Sequence, residues 1–166
     1  YGWEGLALAG SLLLMFGVQL YYYIFVYGRI PGYRNNSRKV VLEQEPPVSV
    51  VVPLFSEDYT FVEERLPLIL AQAYPHFEVV IVYVGHDMDF FEDLSQLRQS
   101  FPQITTTRIQ LDPRYPISRK MALNVGIKSA HCEHLIFTST DAIPQTDRWL
   151  SLMAKGFMRG EIVVGY

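Results

Sequence analysis

The first 28 residues contain a long apolar stretch that lacks charged side chains. Residues 5–28 include no Asp, Glu, Lys or Arg, and their apolar side chains would face every side of a helix. At about 1.5 Å per residue, such a helix exceeds the roughly 30 Å thickness of the hydrocarbon core of a bilayer. The pattern therefore predicts one transmembrane helix within residues 1–28.

Charge around this stretch predicts its orientation. The basic residues that follow it are Arg29, Arg34, Arg38 and Lys39, whereas Glu4 is the one charged residue before it. Because excess Lys and Arg marks the cytoplasmic side of a membrane, we expect the following domain in the cytoplasm and the N-terminus outside. Four tyrosines near the end of the stretch fit an aromatic belt at the headgroups: Tyr21, Tyr22, Tyr23 and Tyr27. The alternatives are a buried core helix and a signal peptide, but a signal peptide carries its positive charge before the apolar run.

The rest of the chain alternates between strand and helix patterns. Residues 29–47 combine Gly, Pro, Asn and Ser with mixed charge, which is typical of a linker. After them, short β-branched runs alternate with helical patterns, which indicates βα units and a parallel sheet. The predicted strands are residues 48–54, 78–84, 105–111 and 134–138, and the predicted helices are 60–73, 91–97, 118–129 and 147–158. The first strand is almost wholly apolar and should be buried, whereas the third alternates and should lie near an edge.

Two residue pairs predict where helices begin. Thr60 with Glu63, and Asp89 with Glu92, have the spacing of a capping box, in which side chains satisfy free N–H groups of the first turn.

Composition narrows the possible functions. The 166 residues are 49% hydrophobic and 19% charged, enough for one domain core together with an apolar segment. The formal net charge of -3 offers no basic face, so nucleic-acid binding is not expected. The one cysteine, Cys132, cannot form an internal disulfide, and no Cys/His cluster has zinc spacing.

Candidate chemistry lies in the loops that follow the predicted strands. In an open parallel sheet the ligand crevice lies outside the carboxyl ends of the strands, where helix N-termini present their positive ends. The polar residues in these loops include Ser56 and Asp58 as well as the candidates Glu57, Asp87, Asp89, Arg119, Lys120, Ser139, Thr140 and Asp141.

Three stretches carry a resemblance to a known family. They are VSVVVPLFSED, LPLILAQAYPHFEVVIVYVG and SRKMALNVGIKSAHCEHLIFTSTDAIPQTDRWLSLM. Together they resemble the N-terminal half of the family 2 glycosyltransferases, over residues 48–166. The resemblance implies an α/β fold of the GT-A (Rossmann-like) type, with a mostly parallel sheet flanked by helices. This domain would be preceded here by one transmembrane helix, and the chain would be truncated at its C-terminus.

Two departures from the family pattern concern the site. The family has a pair of Asp residues after the second strand, and the second, which reads the nucleotide base and ribose, is Val84 here. The metal motif Asp-x-Asp after the fourth strand reads Ser139-Thr140-Asp141, so only its last acid is present.

The resemblance implies an inverting transferase that takes a sugar from a nucleotide-diphosphate sugar, namely a UDP-sugar. The acceptor would be a polysaccharide or a lipid-linked saccharide at the cytoplasmic face of a bacterial inner membrane. The protein itself would contact membrane lipid. The implied substrate-binding positions are Pro53, Glu57, Val84, Asp87, Arg119, Lys120, Ser139 and Thr140. Asp141 would hold Mg²⁺ or Mn²⁺, which accept one or two carboxylates plus substrate phosphates.

Several alternatives stay open at this point. The catalytic base of the family lies in the second half of its domain, so it is expected beyond Tyr166. Asp87 and Asp89 are also typical cap or turn residues, and Asp141 could cap the turn that follows it. The two substitutions at Val84 and Ser139 suit a degenerate, non-catalytic, membrane-tethered interaction protein as well. A nucleotidyltransferase or dehydrogenase would need a Gly-rich loop after the first strand, and residues 53–57 contain no glycine.

Overall fold

The computed structural model describes residues 2–28, 45–110, 114, 118–158, 160 and 162. The chain divides into two compact units, Tyr1–Val41 and Leu42–Tyr166. The predicted linker lies mostly outside the described residues, as does residue 111 at the end of the predicted third strand.

The N-terminal unit contains one long apolar helix. Helix α1, Gly2–Tyr21, continues as a π-helical turn, Tyr22–Tyr27, and none of its residues is buried. Within these 26 residues an 18-residue window has a mean hydropathy of 1.6, so the helix is long and apolar enough to cross a membrane. Its Ser11 hydroxyl donates to the carbonyl oxygen of Leu8 at 2.9 Å and is thus satisfied within the helix. A signal sequence near an N-terminus has the same length and composition, so a membrane role remains a proposal.

The second unit is built on a parallel sheet of four described strands. They are β1 (Val48–Leu54), β2 (Phe77–Val84), β3 (Ile104–Ile109) and β4 (His134–Phe137), in the order β3-β2-β1-β4. All three pairings are parallel. The predicted parallel sheet is therefore confirmed, as is the edge position of the alternating third strand.

Strand β1 is central and contains a proline. All seven of its residues are buried, and Pro53 lies opposite Val82 of β2. The carbonyl oxygen of Val51 accepts from Thr138 N on the β4 side, so residue 53, two positions on, faces that side too. Strand β4 ends at Phe137, opposite Val51, so the proline lies just beyond the last pair of the β1–β4 ladder.

Helices cover both faces of the sheet. The five described helical segments are a π-helical turn (Phe61–Arg65), α2 (Leu66–Leu70), α3 (Met88–Ser100), α4 (Arg119–Ser129) and α5 (Trp149–Phe157). One face packs against side chains from all of these except α4, including Phe61, Ile69, Phe90 and Leu150. The other face packs against α4, where Ala122 meets Val51, Val80, Val82 and Val84.

The close approach of α4 to the sheet depends on Gly126. A Cβ atom built at this position would overlap with Cγ1 of Val51 and crowd Cγ2 of Val82 at 3.2 Å. Glycine therefore permits α4 to lie directly on β1 and β2, which brings the start of α4 to the carboxyl edge of the sheet.

Two predicted helix caps are wrong. Asp58, not Thr60, accepts from the N–H of Phe61, at 2.9 Å, and Thr60 makes no cap hydrogen bond. Helix α3 begins at Met88 rather than after Asp89, because Asp87 accepts from Phe90 N at 3.0 Å. In both cases the cap lies two residues earlier than predicted, where its oxygen reaches the N–H three residues on.

The start of α5 is held by a side chain from another element. The buried Gln72 accepts from Leu150 N at 3.2 Å and donates to the carbonyl oxygen of Thr146 at 2.9 Å. The Tyr74 hydroxyl donates to the carbonyl oxygen of Pro46 at 2.6 Å. These two residues of the Gln-Ala-Tyr-Pro stretch therefore fix the chain between α2 and β2.

A polar network lies at the amino end of the sheet. Glu78 of β2 accepts from the Ser49 hydroxyl of β1 at 2.5 Å and from the backbone N–H of His131 at 2.6 Å. Its other oxygen lies 2.9 Å from Nδ1 of His131. Partial burial acts to raise the pKa of Glu78, but the hydrogen bonds from Ser49 and His131 outweigh it and hold that pKa below its usual value.

We predict that Glu78→Gln lowers the free energy of unfolding at pH 7 by about 1–2 kcal/mol, because charge-assisted hydrogen bonds are lost. A carboxyl with a lowered folded-state pKa stabilises above its unfolded pKa, and that stabilisation disappears as pH falls through the folded value. Urea unfolding at pH 7 and at steps below pH 4.5 should therefore show the difference between the variant and the natural protein closing with acid. The exposed Glu133→Gln is the matched control, and a difference that is independent of pH would contradict the prediction.

Candidate functional site

The candidate site is the carboxyl edge of the parallel sheet. Because β1, β2 and β4 run in the same direction, the loops after Leu54, Val84 and Phe137 emerge at this edge. Helix α4 runs back along the sheet and begins at the same edge, at Arg119. The predicted site residues thus come from four segments that meet at one edge, which is where open α/β sheets bind ligands.

Tyr83 links the first two of these loops. Its side chain is fully buried at the end of β2, and its hydroxyl donates to Oε1 of Glu57 in the loop after β1. The same hydroxyl accepts from the backbone N–H of Asp87 at 3.3 Å. Burial, followed by the hydrogen bond to Glu57, raises the pKa of Tyr83 to about 12, so the phenol stays protonated and keeps donating at neutral pH.

Gly85 allows this arrangement. A Cβ atom at Gly85 would overlap with the hydroxyl and ring of Tyr83. The side chain of Arg108, at the end of β3, donates from Nε to the Gly85 carbonyl oxygen at 3.3 Å and from Nη2 to that of His86 at 3.4 Å. The loop after β2 is therefore fixed from both sides.

Val84 lies on the opposite face from Tyr83. It is 2% exposed and packs in the core beneath α4. The position where the family carries a base-reading carboxylate thus presents no polar group to this edge. Pro53 is likewise buried, within β1.

Asp87 is the N-cap of α3. This agrees with the alternative interpretation of the sequence, in which Asp87 is a cap residue. Its carboxylate nevertheless lies in an acidic neighbourhood. Partial burial, followed by the negative charges of Asp93, Asp87, Asp89 and Glu57, raises the pKa of the Tyr59 phenol. The β1–β2 side of the edge is therefore negatively charged.

Arg65 links the loops after β1 and β4. Its Nη1 donates to the carbonyl oxygen of Thr140 at 2.8 Å. The same nitrogen lies 3.8 Å from Oδ2 of Asp58 and 3.7 Å from Oδ1 of Asp141. Three oxygen atoms from two loops therefore surround one guanidinium nitrogen.

The loop after β4 begins with a tight turn. The N–H of Ala142 donates to the carbonyl oxygen of Ser139 at 3.2 Å, so Thr140 and Asp141 are the central residues of this turn. Ser139 and Thr140 are half-buried, whereas the side chain of Asp141 is 91% exposed. Asp141 thus projects from the turn toward solvent and toward Arg65.

The start of α4 carries exposed positive charge at the edge. Ser118 is the N-cap and accepts from Met121 N at 3.3 Å, and the next two residues, Arg119 and Lys120, are exposed. The α4 helix has 11 residues, so its positive end adds to these two charges. An anion is therefore favoured at the start of α4, whereas the carboxylates of Glu57 and Asp87 lie on the β1–β2 side.

The described residues do not fit the predicted divalent ion as they stand. Within the described ranges, no group of three or more His, Cys, Asp or Glu residues is placed to hold a metal. Asp141, the predicted ligand, already faces the guanidinium of Arg65 at 3.7 Å. A dication at this carboxylate would lie beside a permanent positive charge, which opposes its binding.

Three residues at this edge were not predicted from the sequence. Arg65 lies in a helical segment, where an arginine is usually a solvated charge, and Tyr83 lies in an apolar strand, where it resembles a core residue. Phe55, directly after β1, is 46% exposed. The sequence offered one signal, the position of Phe55 directly after a predicted strand, where an aromatic ring can face a ligand crevice.

Comparison with known proteins supports the fold. No protein-family model matches the chain. No curated protein matches it either. Among solved structures it is similar to the mannosyltransferase PcManGT from Pyrobaculum calidifontis in complex with GDP-Man and Mn²⁺, with 22% identity and a TM-score of 0.55. That match covers 83% of this chain and 42% of the mannosyltransferase chain.

Matches to S. aureus TarS are weaker. One TarS structure has 23% identity over 57% of this chain and 16% of the TarS chain, with a TM-score of 0.46. TarS 1-349 in complex with UDP-GlcNAc has 26% identity over 57% of this chain and 26% of that chain, with a TM-score of 0.42. The fold assignment rests on the mannosyltransferase, of whose length this chain spans less than half.

We predict that Tyr83→Phe lowers the free energy of unfolding by about 0.5–1.5 kcal/mol and loosens both loops, because the hydroxyl joins Glu57 to Asp87. Hydrogen exchange should become faster at residues 55–58 and 85–87. Tyr59→Phe, at a tyrosine that is 49% exposed, is the matched control. Unchanged exchange in the Tyr83 variant would show that the hydroxyl does not hold the loops.

Taken together, the parallel β3-β2-β1-β4 sheet, its flanking helices and the similarity to the mannosyltransferase show that the described residues of 45–110 and 118–158 have an α/β fold of the GT-A type.

Proposed function

We propose that this chain is the donor-binding part of a membrane-anchored, inverting family 2 glycosyltransferase. It would take a sugar from a nucleotide-diphosphate sugar, a UDP-sugar by our inference, and serve a polysaccharide or lipid-linked acceptor. One observation carries the proposal. The carboxyl edge of a GT-A-type sheet brings together a polar region around Glu57, which would face the nucleoside, and a cationic region at Arg119 and Lys120, which would face the phosphates. The similar mannosyltransferase was solved with GDP-Man, which supports a nucleotide-sugar as the ligand class.

The charge distribution gives the donor an orientation. The diphosphate would lie at the start of α4, where Arg119, Lys120 and the helix N-terminus offer positive charge and free N–H groups. The nucleoside would lie toward the loop after β1. There Glu57, held by Tyr83, can accept hydrogen bonds from ribose or base, and the exposed ring of Phe55 can stack on the base.

In the proposed reaction an acceptor hydroxyl attacks the anomeric carbon of the sugar. The new C–O bond forms as the bond from that carbon to the diphosphate oxygen breaks, with inversion. The nucleoside diphosphate leaves with the electron pair, and the proton of the hydroxyl passes to a base expected beyond Tyr166. The described residues would bind the donor and neutralise part of the leaving diphosphate.

One observation favours a second candidate function. The position of the base-reading carboxylate is the buried Val84, and Ser139 replaces the first acid of the metal motif. These changes suit a non-catalytic, membrane-tethered interaction protein of the same fold. Such a protein would bind no nucleotide-sugar, so a binding measurement separates the two candidates.

We predict that the chain binds UDP and that replacing both Arg119 and Lys120 by Ala weakens this binding by about tenfold, since charge at the phosphates is lost. Isothermal titration calorimetry on the full chain in detergent would measure it. Lys128→Ala, which removes a charge from the last turn of the same helix, is the matched control and should leave the affinity unchanged. Absence of UDP binding in the unmutated chain would favour the non-catalytic candidate.

We further propose that residues 1–28 anchor the chain in a bacterial inner membrane, with the domain in the cytoplasm. The basic residues that follow the helix support this orientation.

We predict that the protein stays in the membrane pellet through alkaline carbonate extraction and that deletion of residues 2–27 releases it, because the apolar helix is removed. A C-terminal reporter that is active only in the cytoplasm should be active on the full chain. Processing of the N-terminus to a shorter soluble form would instead identify a signal sequence.

A further inference from the structure

We propose that Arg65 is the built-in cation of the donor site, and that it takes the place of a divalent ion at Asp141. This inference rests on the proposed donor-binding function. It assigns Arg65 a role that nothing in the sequence pattern indicated, and it predicts that nucleotide binding by this chain is independent of metal.

Three oxygen atoms surround Nη1 of Arg65. The Thr140 carbonyl oxygen lies at 2.8 Å, Oδ1 of Asp141 at 3.7 Å and Oδ2 of Asp58 at 3.8 Å. Two carboxylates and a backbone carbonyl are the ligands that hard divalent cations take from proteins. Here a side chain of the protein lies among those oxygens instead.

The guanidinium of Arg65 is held in place. Arg65 ends the π-helical turn Phe61–Arg65, and Asp58 caps the first residue of that turn at 2.9 Å. The side chains of Arg65 and Asp58 are each 24% exposed, whereas that of Asp141 is 91% exposed. The cation is therefore built into the loop framework, and Asp141 is the exposed member of the group.

A guanidinium group suits a phosphate partner. Its planar, positively charged group has five N–H donors in a geometry that matches phosphate oxygens. Thr140 accepts from Nη1, and further donors of the group remain for an anion at the same edge. Together with Arg119 and Lys120, Arg65 would oppose the charge that develops on a leaving diphosphate.

Binding of Mn²⁺ alone, followed by electron paramagnetic resonance of the full chain in detergent, tests the cation site directly. We expect the natural protein to bind Mn²⁺ weakly. Arg65→Ser should bind it about tenfold more tightly or better, since one adjacent positive charge is removed. The gain should be lost in the Arg65→Ser, Asp141→Asn double variant. Arg98→Ser, at an exposed arginine of α3, is the control and should behave as the natural protein.

Two outcomes would overturn the inference. The first is tight Mn²⁺ binding by the natural protein that Asp141→Asn abolishes, which would mean that the ion displaces Arg65. The second is an Arg65→Ser variant that is folded by circular dichroism yet gains no Mn²⁺ site. The titration of the natural protein needs no variant, so the inference stays testable even if Arg65→Ser fails to fold.

UDP binding separates this inference from the proposed function. We expect the natural protein to bind UDP equally well with EDTA and with Mn²⁺, and Arg65→Ser to require Mn²⁺ for its remaining affinity. Binding of UDP by the natural protein only with Mn²⁺ would overturn the role of Arg65 and leave the donor-binding function intact. Absence of UDP binding under every condition would overturn the proposed function, while the Mn²⁺ titrations would still decide whether Arg65 fills a cation site.

Discussion

The parallel pairing of β1 with a strand on each side is the constraint on which the rest of the domain depends. Val48 to Leu54 are buried on both faces of the sheet, so helices must cover both of them. Because all of the described pairings are parallel, every loop that follows one of these strands emerges at the same edge. The candidate site results from this geometry, because it gathers residues that lie far apart in the chain, such as Glu57 and Asp141, which are 84 positions apart.

The sequence alone predicted those strands whose pattern of apolar residues reflects how they are buried. A nearly continuous apolar run as short as residues 48–54 favours a strand buried on both faces, and the alternation in 105–111 favours an edge position. The caps were harder, because Asp58 and Thr60, or Asp87 and Asp89, offer equivalent oxygens two residues apart. Which of them reaches the free N–H depends on where the backbone leaves the strand, and residue type alone does not determine that.

The site itself was predicted by position more than by role. Loops after strands indicated Glu57, Asp87, Arg119 and Asp141, but the side chains that organise them come from regular elements. Tyr83 looks like a core aromatic and Arg65 like a surface charge on a helix until the fold places each against a loop. Long-range polar contacts of this kind carry no local pattern, since each partner satisfies the ordinary preferences of its own segment.

Because the Tyr83 hydroxyl packs against Gly85, the residues that fit at positions 83 and 85 depend on each other. Any larger residue at 85 requires that the tyrosine be lost first, whereas loss of the tyrosine alone leaves a permissive glycine behind. A larger residue at 85 therefore fits after Tyr83 has been replaced, but not before. Relatives of this chain would be expected to vary at 85 only where 83 has already changed.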